Sequence, residues 1–185
     1  DTEVVVNLCI DFLENRTDKK TVDLCSGSGA IAVALDKISG AKVTAVEIDE
    51  TAFSYLETNV KENNSSVKPV MADALEICKT FADGELDLIV SNPPYIKSAD
   101  IETLQKEVRL EPRLALDGGE DGCDFYREIV SRWSRKLKKG GALAFELGEN
   151  QADAVKALMT DKGFSDFKIS LDFGGVQRAI IGTLL

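Results

Sequence analysis

The sequence predicts an α/β fold: a Rossmann-like, doubly wound, mostly parallel sheet of seven strands that ends in a C-terminal antiparallel hairpin. Two observations support this prediction. Short apolar runs of strand length alternate with longer segments whose apolar residues recur at helical spacing. The last two strand-like runs follow one another with no helical segment between them. Because no internal repeat or low-complexity segment interrupts this order, residues 1–185 are interpreted as one domain.

The first half of the chain alternates regularly between helix and strand. A helix is predicted at residues 2–14, because its apolar residues recur three or four positions apart. The first strand, at residues 19–25, ends in a Ser-Gly-Ser-Gly turn at 26–29, and an apolar helix begins at Ala30. A second strand, a helix and a third strand are then predicted at residues 42–48, 50–64 and 67–71.

The second half continues the pattern less regularly. Residues 86–90 form a continuous apolar run, which is typical of a buried strand. Residues 98–119 are polar and lack periodicity. The segment 98–120 is interpreted either as a flap beside a substrate or as an ordered surface loop. The remaining elements are a helix, a strand, a helix and the two hairpin strands, predicted at residues 125–137, 141–147, 151–162, 164–171 and 177–184.

The composition is that of a globular and strongly acidic chain. Its 185 residues have a net charge of −10, which is poorly suited to holding the phosphates of a nucleic acid. No run is long enough to span a bilayer and the N-terminus does not resemble a signal peptide, so no membrane partner is expected. One group of basic residues is expected at the end of a single helix, where it complements the helix dipole: Arg132, Arg135, Lys136, Lys138 and Lys139.

Histidine is absent, and the four cysteines, Cys9, Cys25, Cys78 and Cys123, are widely separated. A zinc or iron–sulfur site is therefore not expected, and neither is a disulfide framework. Without histidine, nucleophilic catalysis by a Ser-His or Cys-His pair is excluded. Separated thiols fit a reducing, cytoplasmic location.

The fourth predicted strand runs directly into the sequence Ser91-Asn92-Pro93-Pro94-Tyr95. Prolines cannot continue a strand, and a residue before a proline is held extended, so this turn is stiff. The turn presents the Asn92 side-chain amide, which has an acceptor oxygen and a donor NH2 group. Because the prolines have no N–H, neighbouring backbone carbonyls are left free to accept a hydrogen bond. Such a turn suits a planar group with its own NH2, either an amide or a base amine. The alternative is a turn that only ends the strand.

Four polar features fall at the predicted carboxyl ends of strands: the glycine turn, Glu47, Asp73 and Asn92. Ligands of doubly wound sheets bind at that edge, so these features are expected to form one site. Glu47 is placed to accept hydrogen bonds from both hydroxyls of a ribose, and Asp73 from an adenine amino group. The alternative for each acid is a helix cap or a solvated strand end.

The glycine turn limits the kind of nucleotide. Gly27 and Gly29 let the backbone approach a ligand, but Ala32 stands at the third glycine of the dinucleotide fingerprint. The acids of this edge, with Asp23 among them, disfavour a pyrophosphate and favour a positively charged sulfonium cofactor. These features and the missing histidine count against a nicotinamide-dependent dehydrogenase.

Taken in order, these motifs resemble those of class I S-adenosylmethionine-dependent methyltransferases. More narrowly, they resemble the HemK/PrmC protein-glutamine methyltransferases that modify peptide-chain release factors, over nearly the whole chain. The shared motifs are Asp-Leu-Cys-Ser-Gly-Ser-Gly at 23–29, Ala-Val-Glu at 45–47, Ala-Asp at 72–73 and Asn-Pro-Pro-Tyr at 92–95. The supporting segments are Asp-Thr-Glu at 1–3, Val-Arg-Leu-Glu-Pro at 108–112, Leu-Asp-Gly-Gly-Glu-Asp-Gly at 116–122 and Phe-Glu-Leu-Gly at 145–148.

The resemblance implies methyl transfer from S-adenosyl-L-methionine to the side-chain amide nitrogen of a protein glutamine, with S-adenosyl-L-homocysteine as the other product and no metal. The implied partner is a peptide-chain release factor with a Gly-Gly-Gln motif, and no nucleic acid is expected to bind directly. Cofactor binding is implied for Asp23, Cys25, Ser26, Gly27, Gly29, Glu47, Ile48, Asp73, Ala74 and Asn92. Substrate binding is implied for Asn92, Pro93, Pro94 and Tyr95, and catalysis for Asn92, Pro93 and Tyr95.

The sequence departs from that family in places. Full-length members have an N-terminal helical domain and a Pro-Arg-Pro stretch, so residues 1–185 are interpreted as the catalytic domain alone. Cys25 stands where many members have glycine, and the final hairpin differs at residues 172–178. Two alternatives stay open: a nucleic-acid adenine methyltransferase that uses the same turn, and a non-catalytic module that binds S-adenosylmethionine.

Overall fold

A computed structural model describes residues 2–106 and 108–185. Asp1, the first residue of one resembling segment, lies outside the described residues. The strands are β1 Lys20–Leu24, β2 Lys42–Glu47, β3 Lys68–Met71, β4 Leu86–Ser91, β5 Leu137–Glu146, β6 Phe164–Leu171 and β7 Gln177–Leu184. The α-helices are α1 Thr2–Leu13, α2 Ala30–Ser39, α3 Glu50–Glu62, α4 Arg113–Leu116, α5 Asp124–Trp133 and α6 Ala152–Thr160.

The predicted fold class is confirmed. The strands form one seven-stranded sheet in the order β3-β2-β1-β4-β5-β7-β6. The first five strands along the chain are parallel, and β7 runs antiparallel to both β5 and β6. Leu24 pairs with Val46 on one side and with Ser91 on the other, so β1, β2 and β4 end at the same edge of the sheet. The order of the strands reverses beside β1, which makes this edge the expected ligand site.

Two apolar layers cover the two faces of the sheet. Alternate strand residues enter opposite layers, so Leu24 packs with Trp133 of α5 on one face. On the other face Ala45 packs with Leu35 of α2 and Leu56 of α3. Helices α5 and α6 cover the first layer, and α1, α2 and α3 cover the second. Both faces of the sheet are therefore buried, and the loops extend from the edge where the parallel strands end.

The prediction for the basic residues was wrong for Lys138 and Lys139, whereas Arg132 lies in the last turn of α5 as predicted. Helix α5 ends at Trp133, and after the 3₁₀ turn Ser134–Lys136 the strand β5 begins at Leu137. Lys138 therefore lies on a strand, as does Lys139, and Lys138 contacts Asp87 at 2.8 Å. The strand begins earlier than predicted because a bulge lets Leu137 pair with Leu86.

Two connections also differ in detail from the predicted pattern. Between β3 and β4, where no element was predicted, the chain forms the 3₁₀ turn Ile77–Thr80. The segment predicted to be irregular contains the 3₁₀ turns Ile101–Thr103 and Val108–Leu110 and the single-turn helix α4. Within the described ranges, no helix has the length and apolar character needed to cross a membrane.

Candidate active site

A cavity of about 710 Å³ opens at the edge where β1, β2, β3 and β4 end. One part of its wall is the glycine turn with the residues that follow β2 and β3, and another part is the Asn-Pro-Pro-Tyr turn after β4. A third part comes from the segment 108–116. The predicted site residues that line it are Cys25, Ser26, Gly27, Glu47, Ile48, Asp73, Ala74, Asn92, Pro93, Pro94 and Tyr95.

The glycine turn is fixed to the sheet below it and is open above. Ser26 N–H donates to the Val46 carbonyl at 3.0 Å, and Gly29 N–H donates to the Ser26 carbonyl at 2.8 Å. Gly27 has φ +54°, and a Cβ built on it would meet no atom within 4 Å beyond its chain neighbours. A ligand can therefore approach the backbone here. Cys25 has φ 56° as well, and burial raises the pKa of its thiol to about 12, so the thiol stays protonated.

Glu47 holds the glycine turn and the end of β2 together. Its Oε2 accepts from Gly27 N–H at 2.7 Å, and its Oε1 accepts from Ile48 N–H and Asp49 N–H, both at 2.8 Å. The side chain is buried, with 8% of the residue exposed. A carboxylate has about four acceptor positions, so these three donors leave about one for a ligand hydroxyl. The sequence did not indicate this structural role.

Asp73 lies in the turn that follows β3. Its Oδ1 accepts from Leu75 N–H at 2.7 Å, which is the local turn contact expected of an aspartate. The next residue is fixed from the core, because Trp133 Nε1–H donates to the Ala74 carbonyl at 2.9 Å. Asp73 is exposed toward the cavity that it lines, so it serves the turn and also remains accessible to a ligand.

The Asn-Pro-Pro-Tyr turn presents polar groups without partners. Ser91 Oγ donates to the Leu24 carbonyl at 2.8 Å and anchors the start of the turn to β1. Within the part of the chain that the structure describes, neither the Asn92 side chain nor the Pro93 carbonyl has a hydrogen-bond partner. Both residues line the cavity, so an amide acceptor and a carbonyl acceptor lie side by side on its wall.

Tyr95 closes one side of the turn. Its hydroxyl lies 3.5 Å from Glu146 Oε1, at the long limit of a hydrogen bond. Burial raises the pKa of the Tyr95 phenol above its ordinary value, and the Glu146 carboxylate adds to the effect. The phenol is therefore neutral near neutral pH and acts as a donor and an aromatic surface rather than as a base.

Known proteins match this chain over most of its length. A family model described as "Methyltransferase small domain" matches residues 4–113. The chain is 37% identical to a release factor glutamine methyltransferase of Clostridium acetobutylicum, over 98% of the chain and 65% of that protein. It is 35% identical to one of Bordetella pertussis, over 100% of the chain and 68% of that protein. The chain belongs to the release factor glutamine methyltransferase family.

The chain spans about two thirds of the length of several of these relatives. The chain is 40% identical to the release factor glutamine methyltransferase of Geobacter sulfurreducens but spans 64% of its length. A crystal structure of a methyltransferase from Pyrococcus furiosus superposes with a TM-score of 0.72 at 24% identity, covering 96% of this chain and 82% of that one. This likeness establishes the fold of the family member and no more.

Asp23 and Gly29 were predicted to bind the cofactor, and the structure of this family member places neither on the cavity wall. A Cβ on Gly29, which has φ +83°, would lie 2.3 Å from Leu56 Cδ1, so this glycine lets α3 pack against the turn. Asp23 alternates with Val22 and Leu24, which enter the α5 layer, so its side chain enters the opposite layer and is fully buried.

Asp23 is a buried acid without hydrogen-bond partners. Among the described residues, neither of its carboxylate oxygens has one, and none of its surface is exposed. Burial raises the pKa of Asp23 to about 7, and the nearby Glu47 carboxylate adds to this rise. The nearby Ser26 hydroxyl and Ala32 N–H partly offset it. The folded family member therefore holds a proton here that the unfolded chain would release well below neutral pH.

Replacing Asp23 with asparagine is expected to change how stability depends on pH. The folded pKa lies above the unfolded one, so the wild type loses stability as the pH rises toward the folded value of about 7. Asparagine does not titrate. The free energy of unfolding of the Asp23→Asn variant, relative to that of the wild type, should therefore rise by about 2 kcal/mol between about pH 5 and about pH 8. Urea unfolding at both pH values measures this, and parallel pH dependence of the two proteins would contradict the burial argument.

Two contributors to the site were missed by sequence reasoning. Glu146 ends β5 and contacts Tyr95, while Gln151 begins the turn into α6 and donates to the Tyr95 carbonyl at 2.9 Å. Glu146 belongs to a segment that resembles the family, and Gln151 is the first residue of a predicted helix. Neither feature indicated a role in the site. Contacts between residues about fifty positions apart leave no local periodicity to detect.

Proposed function

We propose that this chain is the catalytic domain of an S-adenosylmethionine-dependent enzyme that methylates the side-chain amide nitrogen of a glutamine in a release factor. The observation that carries the proposal is the pair of acceptors, Asn92 and Pro93, on the wall of the cavity that the glycine turn also lines. Family membership supports the reaction class. The activity, the substrate and the cytoplasmic location are proposed together, because a release factor acts where translation ends.

The residues of the cavity fit S-adenosylmethionine. Gly27 offers open backbone for close approach, and Glu47 keeps about one acceptor position for a ribose hydroxyl. Asp73 is exposed on the same wall, with Ile48 and Ala74 as apolar surface beside it. When bound, this cofactor would supply a methyl group on a positively charged sulfur. Such a charge is favoured over a phosphate by a wall lined by Glu47, Asp49, Asp73 and Glu111.

The turn would orient the glutamine. The amide nitrogen is a poor nucleophile because its lone pair is conjugated with the carbonyl, so catalysis depends on aiming that lone pair. The Asn92 side-chain oxygen and the Pro93 carbonyl would each accept one N–H of the substrate amide. Their negative potential also stabilises positive charge that develops on the nitrogen. Tyr95, neutral and partly buried, would pack over the amide plane and limit its rotation.

The segment 108–116 would form the substrate side of the cavity. Val108, Glu111 and Leu114 line the same cavity as the glycine turn. Its end is tied to the catalytic turn, because Ile96 N–H donates to the Leu116 carbonyl at 2.9 Å. Leu110 and Leu114 are exposed, with 80% and 54% of their surface open, which suits contact with a protein partner.

The test is methylation of a purified release factor that carries Gly-Gly-Gln, read by mass spectrometry of the tryptic peptide. The proposal predicts a mass increase of one methyl group on that glutamine and none on a Gln→Ala release factor. Methylation of an adenine-containing oligonucleotide instead would favour a nucleic-acid methyltransferase. Binding of S-adenosylmethionine in calorimetry without any transfer to the release factor would favour a non-catalytic module.

A further inference from the structure

Gln151 joins three loops beside the Asn-Pro-Pro-Tyr turn at 92–95. Its Nε2 donates to the Tyr95 carbonyl at 2.9 Å and to the Gly122 carbonyl at 3.1 Å. Its Oε1 accepts from Gly148 N–H at 3.0 Å and lies 3.2 Å from the Tyr126 hydroxyl. The residue is buried, with 8% exposed. One amide therefore links the turn after β4, the loop before α5 and the loop after β5.

The hydrogen bonds of this amide define its orientation. Two donors on Nε2 face two carbonyls, and Oε1 faces an N–H and a hydroxyl. Both donors and one acceptor position of the side chain are used, and the other acceptor position faces the Tyr126 hydroxyl, whose single proton lies nearer the Glu146 carbonyl at 2.9 Å. The backbone of Gln151 precedes α6, and its carbonyl accepts from Val155 N–H at 3.0 Å. The amide is therefore presented from the end of a helix.

Glycines bring the surrounding backbone into direct contact with Tyr95. A Cβ on Gly118 would lie 2.7 Å from Tyr95 Cα, and one on Gly122 would lie 2.5 Å from the Tyr95 carbonyl oxygen. A Cβ on Gly148 would lie 2.9 Å from Tyr95 Cδ2 and 2.5 Å from Gln151 Oε1. No larger residue fits at these positions without moving the turn or Gln151.

The two prolines explain why the turn needs a partner outside itself. Pro93 and Pro94 have no N–H, so neither can donate a hydrogen bond that would fix the turn. The turn must then be held at its ends. Ser91 Oγ anchors the beginning to β1 at 2.8 Å. The end is anchored twice, by Gln151 through the Tyr95 carbonyl and by the Ile96 N–H bond to the Leu116 carbonyl.

We propose that Gln151 is a positioning residue that sets the place of the Asn92–Tyr95 turn relative to the cavity. The expected effect on turnover rests on the proposed function. The structural part of the inference, that Gln151 fixes the position of the turn, does not. Gln151 is not on the cavity wall and touches no substrate group. It acts by fixing Tyr95, and through the rigid prolines it fixes the Asn92 and Pro93 acceptors.

Kinetics of two variants test the proposal. Gln151→Ala and Gln151→Glu should each lower kcat about 10- to 100-fold, while KM for the release factor and Kd for S-adenosylmethionine stay within about twofold. In Gln151→Glu a carboxylate would face two carbonyl oxygens, and protonation restores one donor. Its kcat relative to wild type should therefore recover between about pH 8 and about pH 5.5, whereas the ratio for Gln151→Ala should not. Gln177→Glu, an exposed glutamine on β7, is the matched control and should behave as wild type.

Hydrogen exchange of the ligand-free protein gives a readout that needs no activity. In Gln151→Ala the backbone amides of Ile96 and Gly118, which donate to the Leu116 and Ile96 carbonyls, should exchange about tenfold faster or more, with β1 and β4 unchanged. Wild-type exchange at these amides, or wild-type kcat, would overturn the proposal. If the wild type fails to methylate a release factor, the proposed function fails and the exchange experiment alone decides this inference. If Gln151→Ala does not fold, hydrogen exchange of Gln151→Glu is measured instead, at about pH 5.5 and at about pH 8.

Discussion

Replacing Asn92 with alanine is expected to lower the turnover number at least about 100-fold, while the Kd of S-adenosylmethionine changes by less than about threefold. The Asn92 side chain has no hydrogen-bond partner among the described residues, so the fold loses no internal hydrogen bond when it is removed. What is lost is one of two acceptors that would hold the substrate amide. Single-turnover methylation of the release factor, with calorimetry of cofactor binding, separates these two effects.

A surface asparagine provides the control for this experiment. Asn63 lies at the end of α3, and its side chain donates to the Asn59 carbonyl at 2.8 Å, away from the catalytic turn. Asn63→Ala should leave the turnover number within about twofold of wild type, because a surface substitution away from the site changes little. A turnover number for Asn92→Ala near the wild-type value would refute the role assigned to its side chain.

The sequence was sufficient for most of the fold, because the fold depends on local patterns. The hairpin strands β6 and β7 begin and end where alternation and turn residues predicted. The error at Lys138 arose from a bulge opposite Leu86, which depends on how two strands pair rather than on either strand alone. Periodicity within one segment contains no information about that pairing.

The site could be predicted in part for the same reason. Gly27, Glu47, Asp73 and Asn92 follow strands, and parallel strands end at one edge, so their common location follows from the chain order. Gln151 could not be found in this way, because its contacts with Tyr95 and Gly122 span 56 and 29 positions.

Asp23 illustrates a different failure. Asp23 was predicted to lie at the ligand-binding edge of the sheet because it begins the motif at 23–29. Its alternation with the apolar residues Val22 and Leu24 already indicated that it faces the opposite core layer. Motif position identified a turn that lines the cavity, but the period of the strand decides which side chains face that cavity.

Replacing Glu47 with alanine is expected to weaken binding of S-adenosylmethionine at least about 100-fold, because two effects coincide. The variant loses the acceptor proposed for the ribose, and it leaves the N–H groups of Gly27, Ile48 and Asp49 without their carboxylate. Glu47→Gln keeps one oxygen for Ile48 and Asp49 but turns an NH2 toward Gly27. It should therefore lose about tenfold in affinity, with a smaller loss of thermal stability than the alanine variant.

Calorimetry with S-adenosylhomocysteine and thermal unfolding, applied to both Glu47 variants, separate the two effects. If the carboxylate only supports the glycine turn, affinity should fall in proportion to stability. If it also accepts a ribose hydroxyl, Glu47→Gln should lose more affinity than its stability accounts for, because its amide cannot replace the free acceptor position on Oε2. Unchanged affinity in both variants would exclude Glu47 from the cofactor site. The carboxylate would then be a structural link between β2 and the glycine turn, and the ribose would have to be held by groups elsewhere on the cavity wall.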